Sequence, residues 1–199
     1  KPILISTGLC SLKEINELVT FLKKNNCKKF ALLKCTSSYP ANNKDLNLST
    51  IRDMRKKFNC EIGYSDHSIG FNASIGAIHQ GASFIEKHVC LNKKIGIDSK
   101  FSLEVKDLFF LKKEIYNAFN SRGKIFYGPT KNELSSLQFR RSIYSSRDIK
   151  KGEKFNKSNI RIIRPGLGLE PKYYDFLIGK KSLNNIKFAN PIKMKNVKK

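Results

Sequence analysis

Apolar and polar positions alternate between two periods along the first two thirds of the chain. Pro2-Ile3-Leu4-Ile5 is a short apolar run that ends in Ser6-Thr7-Gly8, the pattern of a buried strand followed by a loop. Ser11-Leu12-Lys13-Glu14 then has the form of a capping box, and Ile15, Leu18, Val19 and Leu22 recur at helical spacing behind it. Lys23 and Lys24 stand where the negative end of that helix favours cations. The alternation repeats three times. Strands are expected at Phe30–Leu33, Glu61–Ser65 and Phe84–His88. Helices are expected around Ile51, Met54 and Phe58, from Phe71 to Gly81, and along Val105, Leu108, Phe109, Leu111, Ile115 and Phe119.

Four strand–helix units in series predict a parallel sheet. An open doubly wound sheet and half of a (βα)8 barrel both satisfy that order. The polar clusters favour the barrel. Ser6-Thr7-Gly8, Thr36-Ser37-Ser38-Tyr39, Ser65-Asp66-His67 and Glu86-Lys87-His88 all fall at strand C-terminal ends, which a barrel gathers on one face. The predicted class is α/β: half of a TIM barrel over residues 1–122, a linker over 123–139 with Gly123, Gly128 and Pro129, and a small, mainly β domain over 140–199. In that small domain Asp148–Phe155 is echoed by Asn185–Ile192, which predicts two similar turns.

Composition narrows the function classes. Of 199 residues, 40% are hydrophobic, enough for a core, and no apolar run is long enough to span a bilayer. The formal net charge of +23 would suit a polyanion, but the lysines are scattered among Asn, Ile and Phe without an Arg-rich stripe or a recognition motif. Specific nucleic-acid binding is therefore not expected, whereas an anionic small molecule fits the charge as well. Five cysteines without a CxxC suggest reduced thiols and a cytoplasmic setting.

Strand alternation puts Gly63, Ser65 and His67 on one face and pairs Glu86 with His88. Two imidazoles at adjacent strand ends either hold a divalent cation, with solvent or substrate oxygens completing the shell, or are buried histidines bonded to backbone. His79, inside an Ala-rich helix, reads as an outer-face residue, and Cys90 is a weaker candidate for a thiolate ligand. Arg164, before Pro165-Gly166, is either an ordinary turn residue or a planar fork offered to a carboxylate.

Six motifs in order carry a resemblance: ISTG at Ile5–Gly8, LLKCTSSYPA at Leu32–Ala41, GYSDHSIG at Gly63–Gly70, IEKHVCL at Ile85–Leu91, FSLE at Phe101–Glu104 and RPGLGLEPKY at Arg164–Tyr173. Together they resemble the sialic acid synthase family. Lys34 and the FRRSIY run at Phe139–Tyr144 look like its pseudaminic acid branch. The resemblance implies a (βα)8 barrel followed by an antifreeze-like SAF domain. It implies condensation of phosphoenolpyruvate with the open-chain aldehyde of an acetamido sugar (2,4-diacetamido-2,4,6-trideoxy-altrose in that branch), releasing phosphate. By the same resemblance His67 and His88 are the ligands of a divalent metal, Mn2+ or similar. Ser6 and Ser65 contact phosphoenolpyruvate, Glu86 is catalytic, and Ser37, Tyr39 and Asp98 line the sugar site. Arg164 reaches the partner's barrel in a domain-exchanged homodimer. Asp66, on the opposite face from His67, is expected to have a structural or capping role.

The same comparison implies departures. The chain starts at what resembles the fifth barrel strand, without the family's phosphate-binding lysines and an essential glutamate. Cys90 stands where the family usually has Thr, and Ala189 where a turn glycine is common. The expectation is that this chain alone is incomplete as a catalyst. The competing reading is a truncated or split chain that binds a partner, such as a complementary N-terminal half.

Overall fold

The computed structural model describes residues 1–198. The chain splits into two units, Lys1–Ile125 and Phe126–Lys199.

The first unit is built on a four-stranded parallel sheet in the order β1 (Ile3–Ser6), β2 (Phe30–Cys35), β3 (Glu61–Asp66) and β4 (Ile85–Lys87). Helices α1 (Leu12–Lys24), α2 (Ser49–Phe58), α3 (Asn72–His79) and α4 (Leu108–Arg122) separate and follow the strands. The capping box of α1 is present: Ser11 Oγ accepts from the Glu14 amide, and the Glu14 carboxylate accepts from the Ser11 amide at 2.7 Å. The inner strands β2 and β3 are buried on both faces, but their apolar partners lie on one. Leu32, Ile62 and Tyr64 pack with Val19, Ile51, Met54, Phe58, Ala77 and Ile78 from the helices, so this face of the sheet carries the apolar core.

Two expectations need correction. The fourth strand ends at Lys87, not His88. The next residues form a separate two-residue strand, β5 (Val89–Cys90), which pairs in parallel with β6 (Leu103–Glu104). The apolar run thus contains a break, because its two halves find different partners. Second, the helix expected from Val105 starts with a 3-10 turn at Val105–Asp107, and α4 begins at Leu108. Of the apolar positions on α4 only Leu111 and Ala118 are buried, while Phe109 is 71% and Phe119 55% exposed.

The second unit begins in the segment that reads as a linker. Lys131–Phe139 there is an exposed 3-10 helix, with Glu133 accepting from the Thr130 amide and hydroxyl. Strands β7 (Ser142–Ser145) and β8 (Ile160–Ile163) then pair antiparallel, and a short helix α5 (Tyr174–Leu177) follows. The echo seen in the sequence is structural. Ile149 and Ile186 exchange both backbone bonds at 2.8 Å. Further bonds obey the same offset: Gly152 N–H donates to Ser182 C=O, and Ala189 N–H to Ser145 C=O. Phe188 N–H donates to Asp148 and Lys151 N–H to Asn185; Asn159 accepts from the Asn156 amide as Asn196 does from that of Lys193. Two copies of one turn motif therefore clasp each other around Ile149, Phe155, Ile160, Ile186, Ile192 and Val197. The matched turn residues Gly152 and Ala189 have φ of 81° and 62°, so Ala189 holds a left-handed conformation that a glycine would take without strain.

Candidate active site

Parallel register assembles the candidate residues row by row. Cys35 stands opposite Ser65, and Ser65 opposite Glu86. Ser65 Oγ donates to Glu86 Oε1 at 2.7 Å across the strands. One step beyond the ladder come His67 and His88, with ring centroids 5.2 Å apart. Tyr39 lies over His67 at 4.2 Å and 6.1 Å from His88. Phe101, which is buried, completes a cluster of four rings, 5.1 Å from His88.

His67 is held from two sides. Its carbonyl accepts from the Ala41 amide, which ties the loop after β2 to the end of β3. Its Nδ1 lies 3.0 Å from the Thr36 carbonyl. A carbonyl only accepts, so Nδ1 carries the proton and Nε2 keeps its lone pair. That tautomer is the one a metal-binding imidazole requires. Asp98 Oδ2 lies 3.7 Å from Nδ1 of His88. No three His, Cys, Asp or Glu side chains among the described residues converge as a complete donor set. The arrangement fits a cation held by two imidazoles with the other positions left to water or substrate oxygens.

The remaining sequence candidates are placed as follows. Ser37 lies 3.7 Å from the Cys35 thiol, and any side chain at Gly8 would collide with its hydroxyl, which brings the loop after β1 against the loop after β2. Ser6 ends β1, exposed and in register with Leu33. Arg164 belongs to the second unit, where it is exposed. His79 is the exposed last residue of α3, and the Cys90 thiol faces the Ser99 carbonyl at 4.0 Å. Two neighbours escaped the sequence reading. Cys35, whose thiol is 3.7 Å from His67 Nδ1, could have been found by continuing strand alternation two residues further, from Leu33. Phe101 arrives on an irregular loop and has no periodic signal.

The opposite side of the same strands is charged as well. Asp66 and Lys87 are buried at 0% and 3% side-chain exposure, with 3.1 Å between Oδ2 and Nζ. Burial pushes the Lys87 ammonium below its ordinary value, and the Asp66 carboxylate opposes that shift. Lys34, half-buried, is likewise lowered by burial while its Nζ donates to the Cys35 carbonyl and Thr36 Oγ1. The Tyr64 hydroxyl is buried without a partner among the described residues, and burial raises it well above the usual phenol value.

Comparison with known proteins adds the following. Residues 1–127 match the NeuB family model and residues 140–198 the SAF domain model. A pseudaminic acid synthase of Campylobacter jejuni is 40% identical over 194 residues, which is 97% of this chain and 57% of that protein. An N,N'-diacetyllegionaminic acid synthase of the same organism is 36% identical over 94% of this chain and 57% of its own length. A solved N-acetylneuraminic acid synthetase of Leptospira borgpetersenii, in complex with citrate, superposes with a TM-score of 0.64 at 36% identity, covering 70% of this chain and 49% of that one. The chain spans a little over half the length of the curated relatives it matches.

Proposed function

The chain belongs to the NeuB family, and from that premise we propose that it is the part of a nonulosonic acid synthase, of the pseudaminic acid type, that brings the metal and sugar groups to the site. In this reading β1 to β4 are strands five to eight of a (βα)8 barrel, and residues 140–199 are its SAF domain. The reaction joins C3 of phosphoenolpyruvate to the aldehyde carbon of the open-chain diacetamido sugar; water adds at C2 and phosphate leaves. A divalent cation such as Mn2+, held by His67 and His88, would supply Lewis acidity toward the aldehyde oxygen.

The chain's own groups divide the rest. The Thr36 carbonyl keeps the proton of His67 on Nδ1. Ser65 occupies Glu86 Oε1, leaving Oε2 to accept a proton or hydroxyl from the sugar. Ser6 and Ser65 face phosphoenolpyruvate, and Ser37, Tyr39 and Asp98 the sugar. Arg164 offers its guanidinium across a homodimer, to the partner's site. The observation that carries the proposal is the pair of imidazoles 5.2 Å apart, two residues beyond the row containing Glu86.

The test is phosphate release from phosphoenolpyruvate with Mn2+ and 2,4-diacetamido-2,4,6-trideoxy-altrose. We expect turnover when the chain is combined with the N-terminal half of the Campylobacter jejuni relative, little without it, and a loss of at least ~100-fold in His67→Ala and in His88→Ala, the scale of a lost catalytic group. Metal-dependent turnover retained in both variants would sink the assignment. A chain that binds the N-terminal half without any turnover would instead favour a non-catalytic partner.

A further inference from the structure

Asp66 directly precedes His67, and Lys87 directly precedes His88. The two are register partners at the last rung of the β3–β4 ladder, and alternation turns them away from the histidines. The Asp66 carboxylate accepts from the Ser68 amide at 2.8 Å, the Ser68 hydroxyl at 2.7 Å and Ser74 Oγ of α3 at 2.6 Å. Lys87 Nζ bridges it at 3.1 Å and also donates to the Ser68 carbonyl at 2.7 Å. β4 is only three residues long, and the chain leaves the sheet immediately after it. Besides the three-residue ladder, the Leu103 amide donates to the His88 carbonyl at 2.8 Å, so the pair is the side-chain tie on the helix side of the last rung. On the site face the matching tie is the Ser65–Glu86 hydrogen bond, one residue earlier.

We infer that the buried Asp66–Lys87 pair is a positioning device: it locks the last rung from behind and so sets the separation and mutual tilt of the His67 and His88 rings. The inference rests on the reading above that these rings hold a cation. Buried ion pairs are weak devices for stability, because desolvation offsets their attraction, and fixing register is the best-attested use of such groups. A donor pair tolerates little slack, and groups that orient metal ligands from behind typically contribute tenfold or more to affinity.

The experiment uses the full chain with Co2+ alone as probe, together with a metal-free measurement, the nuclear Overhauser effect between the His67 and His88 ring protons. Lys87→Met should weaken Co2+ binding by about tenfold or more and diminish the ring-to-ring effect, Lys87→Arg should restore both, and Ile51→Ala, a buried change in α2, should leave affinity within about twofold. Asp66→Asn, whose Oδ1 still accepts from Ser68 while its NH2 donates to Ser74 Oγ in place of accepting from it, removes the charge; it should behave like Lys87→Met and replaces it if that variant does not fold. Unchanged affinity and ring contact in the lysine and aspartate variants would overturn the inference, as would an equal loss in Ile51→Ala. Absence of His67- and His88-dependent Co2+ binding in the parent would refute the metal reading instead. The ring-to-ring effect would still decide whether the ion pair positions the two residues.

Discussion

The two units bury their apolar residues in different ways. The second closes on itself: its two turn motifs exchange backbone bonds reciprocally, and its core residues Phe155, Ile160, Leu177 and Ile192 have no exposed surface. The first buries one face of its sheet well, but Phe109, Phe110, Tyr116 and Phe119 of α4 remain largely exposed, as do Leu4 of β1 and Phe21 of α1. Exposed aromatic groups of that size mark a surface that gains from being covered. A self-paired unit contains its own complement, while a strand–helix series keeps apolar surface wherever its neighbour is another unit of the series.

That contrast can be broken by a matched pair of truncations in the full chain. Phe155→Ala should destabilise the second unit by about 3–5 kcal/mol, read from hydrogen exchange at the Ile149 and Ile186 amides. Phe109→Ala should change the stability of the first unit by no more than about 0.5 kcal/mol while reducing self-association in sedimentation. Similar costs at both positions would erase the distinction.

A subtler change sharpens the symmetry of the second unit. Ala189→Gly should stabilise it by about 1 kcal/mol, because Ala189 pays for a left-handed φ of 62° that glycine adopts freely. Gly152→Ala, at the matched turn with φ of 81°, should cost a similar amount. Urea midpoints measure both, and an Ala189→Gly loss would show that the two turns are not equivalent.

The smallest effect is in acid. The Phe188 amide and Lys187 hold the Asp148 carboxyl below its usual value, and the Lys150 amide, Asn159 and Arg147 do the same for Glu153. Their folded values lie below their unfolded ones. The stability they contribute is full above the unfolded carboxylate range and is lost as pH falls through the depressed values. Thermal melts of the second unit should be flat above that range and decline below it, and Asp148→Asn should flatten the decline.

Much of this was legible in the sequence, for identifiable reasons. Helical spacing of Ile51, Met54 and Phe58 predicted a buried face because each packs on the strand beside it. Alternation along Gly63, Ser65 and His67 predicted the site face because β3 stays in its ladder to Asp66. The break between Lys87 and Val89 was not legible, since both halves of that run are strand-like and only their partners differ. Nor does a helical period say whether a neighbour covers it: Phe109 and Phe119 keep the period and stand exposed. The Asp148–Phe155 echo was faint because the duplication lies in backbone bonds, while matched side chains such as Phe155 and Ile192 differ.

The clasp of the second unit also constrains the order of events during folding. Its reciprocal contacts join distant residues, such as Lys151 to Asn185, 34 positions apart, and Ser145 to Asn190, 45 apart. Neither motif meets its partner until a loop of that length has closed, and closure costs entropy before any bond repays it. High contact order of this kind slows folding relative to chains whose contacts are local. Half a clasp therefore has no stable stopping point, and its bonds form together or not at all.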